Sequence, residues 1–121
     1  MPSYTTLKRR ADFLAAAASG FKFVKPSLIV QARKREASEL ALTPIRIGFT
    51  ATRKLGGAVV RNRVKRRLRA AAAQLLLELG QPGCDYVFIG RDPAFRGTFD
   101  DLIRDMKHAL RRLTEIMAPK N

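Results

Sequence analysis

Val59-Val60-Arg61-Asn62-Arg63-Val64-Lys65-Arg66-Arg67-Leu68-Arg69 reads as the cationic half of a long amphipathic helix. Val60, Val64 and Leu68 recur every fourth position, and Ala71, Leu75 and Leu79 carry the stripe on, so the spacing predicts a helix from Ala58 to Leu79. Gly56-Gly57 breaks the chain before it, and Gly80, Pro82 and Gly83 end it. At about 100° per residue, Arg61, Lys65 and Arg69 form one row beside the stripe. Asn62 and Arg66 point directly away from the core, while Arg63 and Arg67 form the opposite flank. Like charges one turn apart weaken an isolated helix by about a few tenths of a kcal/mol per pair. Phosphates bound along the helix recover that cost, and the planar fork of arginine matches phosphate oxygens better than lysine does. Asn62 adds hydrogen bonds for a base or a sugar. A membrane-surface helix is the competing reading, but this apolar stripe is needed for the core and carries no bulky aromatic residue.

Working outward, Ile45, Ile47, Phe49 and Ala51 alternate with Arg46, Gly48, Thr50 and Thr52, the pattern of a half-buried strand. Tyr86 to Ile89 is a fully buried strand that Arg91-Asp92-Pro93 terminates. Leu28 to Arg33 reads as a strand running into a charged loop, Lys34–Leu42, and Phe21 to Val24 as a short strand closed by Pro26. Leu7 to Ser19 reads as a short helix stopped by Gly20, with Phe13 as its one aromatic residue. Thr98 is placed to cap the last helix, with Asp100 and Asp101 at its positive end. Phe99, Leu102, Ile103, Met106, Leu110, Leu113 and Ile116 or Met117 form its stripe. The order α-β-β-β-α-β-α predicts an α+β fold, a two-layer sandwich of a small mixed sheet against helices. With no repeat, linker or break in composition, residues 1–121 are expected to form a single domain.

The 121 residues carry 24 Lys+Arg against 10 Asp+Glu, a formal charge of +14, which implies a polyanionic partner. Not one carboxylate falls between Glu39 and Glu78, an interval that holds Arg46, Arg53, Lys54 and the cations of the long helix. An ordinary solvated surface mixes both signs, so nucleic acid is the favoured partner. A hydrophobic content of 46% excludes compositional disorder. No apolar run is long enough to span a bilayer, and the start of the chain lacks the apolar core of a signal peptide. The lone Cys84 can form no internal disulfide, so a cytoplasmic location is expected, with no membrane and no obligate protein partner in evidence. Cys84 is read as a small buried residue and His108, the only histidine, as a surface residue. Phe49, Phe88 and Phe99 have core spacing; Phe23 is open to either reading. Asp100, Asp101 and Asp105 are better explained by helix capping than by a metal, and no metal site is expected in this chain. No catalytic residue is expected either: there is no carboxylate pair, Ser/His/Asp set or glycine-rich phosphate loop.

The run from Arg53-Lys54-Leu55-Gly56-Gly57 through Arg61-Asn62-Arg63 to Lys65-Arg66-Arg67-Leu68-Arg69 resembles the signature of the ribonuclease P protein family. Leu7-Lys8-Arg9-Arg10 followed by Asp12-Phe13, the strand Ile45–Thr52 and the strand Asp85–Arg91 fit the same family in order and spacing, so the likeness covers nearly the whole chain. It implies the protein subunit of a ribonucleoprotein endonuclease that removes the 5′ leader of precursor tRNA by hydrolysing one phosphodiester bond. In that family a large RNA subunit carries the active site and holds the catalytic Mg2+. The protein binds that RNA, contacts the leader and lowers the Mg2+ requirement. By position, Arg61, Asn62, Arg63, Lys65, Arg66 and Arg69, with Arg53 and Lys54 before them, would meet the RNA subunit. Phe13 and Arg9, with the face of the sheet, would meet the single-stranded leader, where aromatic rings stack on bases. The resemblance also implies a left-handed crossover through the long helix, against the general right-handed rule. Relatives often carry a second aromatic one turn after Phe13 and a tyrosine at the strand position of Gln31; here that turn holds Ala16 and Ala17. Two other classes remain open: a non-catalytic RNA-binding module, and a nuclease acting on its own.

Overall fold

A computed structural model describes residues 4–35 and 44–118. Most of the charged loop expected over 34–42 lies outside the described residues. The elements run β1 (Tyr4–Thr6), α1 (Arg10–Ala18), β2 (Phe21–Val24), β3 (Leu28–Lys34) and β4 (Ile45–Thr50). A 3-10 turn (Arg53–Leu55), α2 (Ala58–Leu79), β5 (Cys84–Gly90), α3 (Asp92–Arg96) and α4 (Phe99–Met117) complete the chain.

The five strands form one mixed sheet in the order β1-β4-β5-β3-β2. β1 and β5 flank β4 as parallel neighbours, while β3 is antiparallel to both β5 and β2. The parallel pair β4 and β5 is joined through α2, because parallel neighbours need a crossover rather than a hairpin. This is the α+β architecture that the order of elements predicts.

Strand alternation divides the side chains between two faces. Leu28, Val30, Ala32, Ile45, Ile47, Tyr86 and Phe88 meet α2 and α4 in the main core, with Val64, Leu68, Leu76, Leu102, Met106, Leu110 and Leu113. On the other face α1 packs a smaller cluster of Leu7, Ala16 and Val87, joined by Phe13 and Ile89. Central β5 is covered on both sides, which is why it reads as an unbroken apolar run rather than an alternating one.

Three local differences have physical causes. The N–H of Leu7 donates to the Ile47 carbonyl at 2.7 Å, so Leu7 prolongs the β1–β4 ladder and the first helix starts only at Arg10. β1 is a strand because β4 offers it an edge; three residues are too few to show a period of their own. Arg91-Asp92-Pro93 ends β5 as expected but also opens α3, since proline suits the first turn of a helix. At the end of α4, Met117 is buried while Ile116 stays 44% exposed. The cap of α4 is as predicted, with Thr98 Oγ1 accepting the Asp101 N–H at 3.0 Å. Gly20, at φ 84°, turns α1 into β2 in a region that suits glycine.

Candidate nucleic-acid interface

Val64, Leu68 and Ala71 anchor α2 with no exposed surface, which forces its cations outward. Val59, Asn62, Lys65, Arg66 and Arg69 line a shallow hollow along one face of the helix. Arg63, Arg66, Arg67, Ala70 and Phe99 line a second one beside it, so Arg66 stands on the ridge between the two. Val59 is 82% exposed inside the first hollow, an apolar contact among charges. Among the described residues none of Arg61, Arg63, Lys65, Arg66, Arg67 and Arg69 forms an ion pair. Arg53 and Lys54 are exposed in the 3-10 turn that leads into α2. The cap residue Gly57 supplies no side chain, so the first-turn N–H groups add to the positive field there.

Not all these cations are equally available. The Arg63 guanidinium lies 5.9 Å from the centre of the Phe95 ring, that of Arg67 5.9 Å from Phe99, and that of Arg69 5.4 Å from Phe49. Arg67 also donates to the Gly97 carbonyl at 2.8 Å. Arg61 stands in neither hollow; its Nε is shielded from solvent and its backbone N–H donates to the Gly57 carbonyl at 3.0 Å. Phe49 and Phe99 do pack against the core, as their spacing suggests, yet each also carries an arginine. Spacing within one helix could not reveal this, because the rings come from β4 and α4.

Phe13 and Arg9 belong to the opposite side of the sheet. Arg9 is exposed at the start of α1, and Phe13 is half-buried one turn on. The Phe13 ring lies directly on Gly48 of β4: a Cβ at that glycine would fall 2.5 Å from Cε1 and Cζ of the ring. Gln31 shares this face, in register with Val87 on one side and Lys22 on the other.

At one end of the same face, Arg46, Asp85 and Arg33 stand in register across β4, β5 and β3. Asp85 is fully buried and accepts from Arg46 Nε at 2.8 Å and Nη2 at 2.7 Å, from Arg35 Nη1 at 2.5 Å and from Arg33 Nη1 at 3.3 Å. Burial alone would raise its pKa, but the hydrogen bonds and charges of Arg46 and Arg35 outweigh it and hold the carboxyl below its ordinary value. Arg46 reaches back to Asp12 of α1 at 3.6 Å, and Arg35 also donates to the Pro44 carbonyl. Neither Gly48 nor the Asp85 cluster was singled out by sequence. A buried acid opening an apolar strand, Asp85-Tyr86-Val87-Phe88-Ile89, was the available signal.

Asp105, His108 and Cys84 each make contacts within the fold. Asp105 accepts from the Ser27 N–H and hydroxyl at 3.0 and 2.7 Å. His108 is exposed against the edge of Phe23, with Lys25 Nζ 2.9 Å from its Nδ1. Burial pushes the Cys84 thiol pKa up, away from a reactive thiolate. No group of three His, Cys, Asp or Glu among the described residues could hold a metal ion. No helix among them is long and apolar enough to cross a membrane. A helix anchored on a small mixed sheet and lined by unpaired arginines and lysines presents the surface of a nucleic-acid-binding protein.

Comparison with known proteins narrows this class. The family model described as Ribonuclease P matches residues 1–114. The ribonuclease P protein component of Ruegeria pomeroyi is 50% identical over 111 residues, covering 90% of this chain and 86% of that protein. That of Paramagnetospirillum magneticum is 42% identical over 107 residues, covering 88% and 80%. Among solved structures, the ribonuclease P protein of Thermotoga maritima matches with a TM-score of 0.73 at 26% identity, over 88% of this chain and 96% of that one. The Staphylococcus aureus protein has the same fold, with a TM-score of 0.71 at 24% identity over 93% and 97%.

The chain belongs to the ribonuclease P protein family. It is a subunit of bacterial ribonuclease P, the ribonucleoprotein endoribonuclease of tRNA 5′ maturation, and associates with ribonuclease P RNA.

Proposed function

We propose that the two faces of this protein divide the work of the ribonucleoprotein. The outer surface of α2, with Asn62, Lys65, Arg66 and Arg69 at its centre and Arg53, Lys54, Arg61 and Arg63 around them, binds phosphates of the RNA subunit. The α1 face, with Phe13 and Arg9, binds the 5′ leader of precursor tRNA. The catalytic Mg2+ is held mainly by the RNA subunit, the protein supplying cations and shape. The place of work is the cytoplasm, where precursor tRNA is made.

The observation that carries this reading is the hollow on α2. It sets Lys65, Arg66 and Arg69 beside Asn62 with no carboxylate paired to them. Cations left unneutralised on a well-anchored helix gain most from displacing counterions at a phosphate backbone. The half-buried Phe13 ring supports the second face, because a base stacks on an aromatic surface that is held still.

A cleavage assay on 5′-labelled precursor tRNA at low Mg2+ tests the reading. It compares the protein alone, a bacterial ribonuclease P RNA alone, and the two together. Efficient leader release by the mixture alone is the expected result. A protein that binds RNA but adds nothing to cleavage would be a binding module, and cleavage by the protein alone would make it a nuclease in its own right.

A further inference from the structure

α1 presents one aromatic ring, so where that ring sits decides what the leader face can contact. Two contacts between α1 and the sheet determine its place. The first is the floor. Gly48 leaves space on β4 for the ring, since a methyl group there would meet Cε1 and Cζ at 2.5 Å and Leu7 Cδ1 at 3.3 Å. The second is the side. Asp12, adjacent to Phe13, meets Arg46 at 3.6 Å, and Arg46 is already held by two hydrogen bonds to the fully buried Asp85. An ion pair with one partner fixed in advance loses less side-chain entropy on forming than a pair of mobile surface groups.

We propose that Asp12 and Gly48 are positioning residues for leader binding: Gly48 sets how deep the Phe13 ring lies on the sheet, and Asp12, through Arg46 and Asp85, fixes the helix that carries it. This rests on the reading of the Phe13 face as the leader site. The role of Asp12 is separable from a simple charge effect by its sign. A carboxylate beside a site for a polyanion repels it, so a group acting only through charge strengthens binding when it is neutralised. A positioning group weakens binding when it is removed.

The test uses ribonucleoprotein reconstituted with the RNA subunit. It measures the affinity for a long-leader precursor tRNA relative to mature tRNA, with Asp12→Asn, Asp12→Glu, Gly48→Ala and Phe13→Ala. Thermal unfolding and RNA-subunit affinity serve as controls. Asp12→Asn is expected to cut the leader preference about three- to fivefold, the ceiling that a part-exposed ion pair sets. Asp12→Glu restores it. Gly48→Ala, by lifting the ring, is expected to cut it about fivefold or more, the loss of one base stack. Either variant, correctly folded, with an unchanged or enhanced leader preference overturns the proposal. Asp12→Asn, at a part-exposed site, decides the matter if Gly48→Ala fails to fold. Phe13→Ala separates the two readings. Loss of preference there without loss in the positioning variants removes this inference alone. An unchanged preference in Phe13→Ala removes the leader site and this inference with it.

Discussion

Arg67 donates a hydrogen bond to the Gly97 carbonyl at 2.8 Å and so ties α2 to the turn that precedes α4. Its neighbour Arg66, one residue back and about 100° round the helix, stands between the two hollows without such a tie. Two adjacent arginines of one basic run thus have different physical tasks, and substitution separates them.

Arg67→Ala is expected to lower the unfolding free energy by about 1–2 kcal/mol, from a charged hydrogen bond and a cation–ring contact. Arg66→Ala is expected to leave stability within about 0.5 kcal/mol of the parent. It should weaken RNA-subunit binding and reduce the slope of log affinity against log salt by about one phosphate contact. Denaturant unfolding and a salt titration check the pair. Equal stability losses, with equal salt slopes, would show that the division is wrong.

Asp85 should dominate the acid limb of stability. Its pKa is lower in the folded protein than in the unfolded chain, so the folded state binds fewer protons in mild acid. The stabilisation is complete above the unfolded carboxyl's value, about 3.9, and is lost as pH falls from there through the folded pKa. Asp85→Asn removes the buried carboxylate that Arg33, Arg35 and Arg46 share and is expected to cost about 3 kcal/mol at neutral pH. Unfolding measured from pH 7 downwards should be flatter for the variant; parallel curves would contradict the assignment.

Thr98→Ala removes the side-chain acceptor for the Asp101 N–H at the start of α4. Loss of a cap of this kind costs about 1 kcal/mol. Because α4 supplies Leu102, Met106, Leu110 and Leu113 to the core, the loss should appear in global unfolding. Amide exchange confined to the first turn, with unchanged global stability, would show that the cap acts only locally.

Tyr86→Phe deletes the hydroxyl that accepts the Gln81 N–H at 3.0 Å, at the junction of α2 and β5. The ring stays packed beside Phe88, and Gln81 is exposed, so water can replace the lost acceptor. A loss of about 0.5–1.5 kcal/mol in chemical denaturation is expected. A loss well beyond this range would mean that the ring itself shifts.

Local pattern made much of this protein legible. The four-residue recurrence of Val60, Val64 and Leu68, the alternation at Ile45–Phe49 and the cap at Thr98 depend on interactions within a few residues, so the chain itself displays them. The cationic face of α2 follows from the same periodicity: once the stripe is buried, Asn62, Lys65 and Arg66 must face outward. What the sequence by itself determined is therefore the class of fold, the basic helix and the family. Tertiary structure decided the rest, because it depends on pairings between distant segments. β1 is a strand only beside β4, Arg63, Arg67 and Arg69 rest on rings from three other elements, and Asp85 collects arginines from β4, β3 and the segment just after β3. The Phe13 ring finds its place over Gly48 because folding brings α1 across β4, a contact between residues far apart in the chain that no local period encodes.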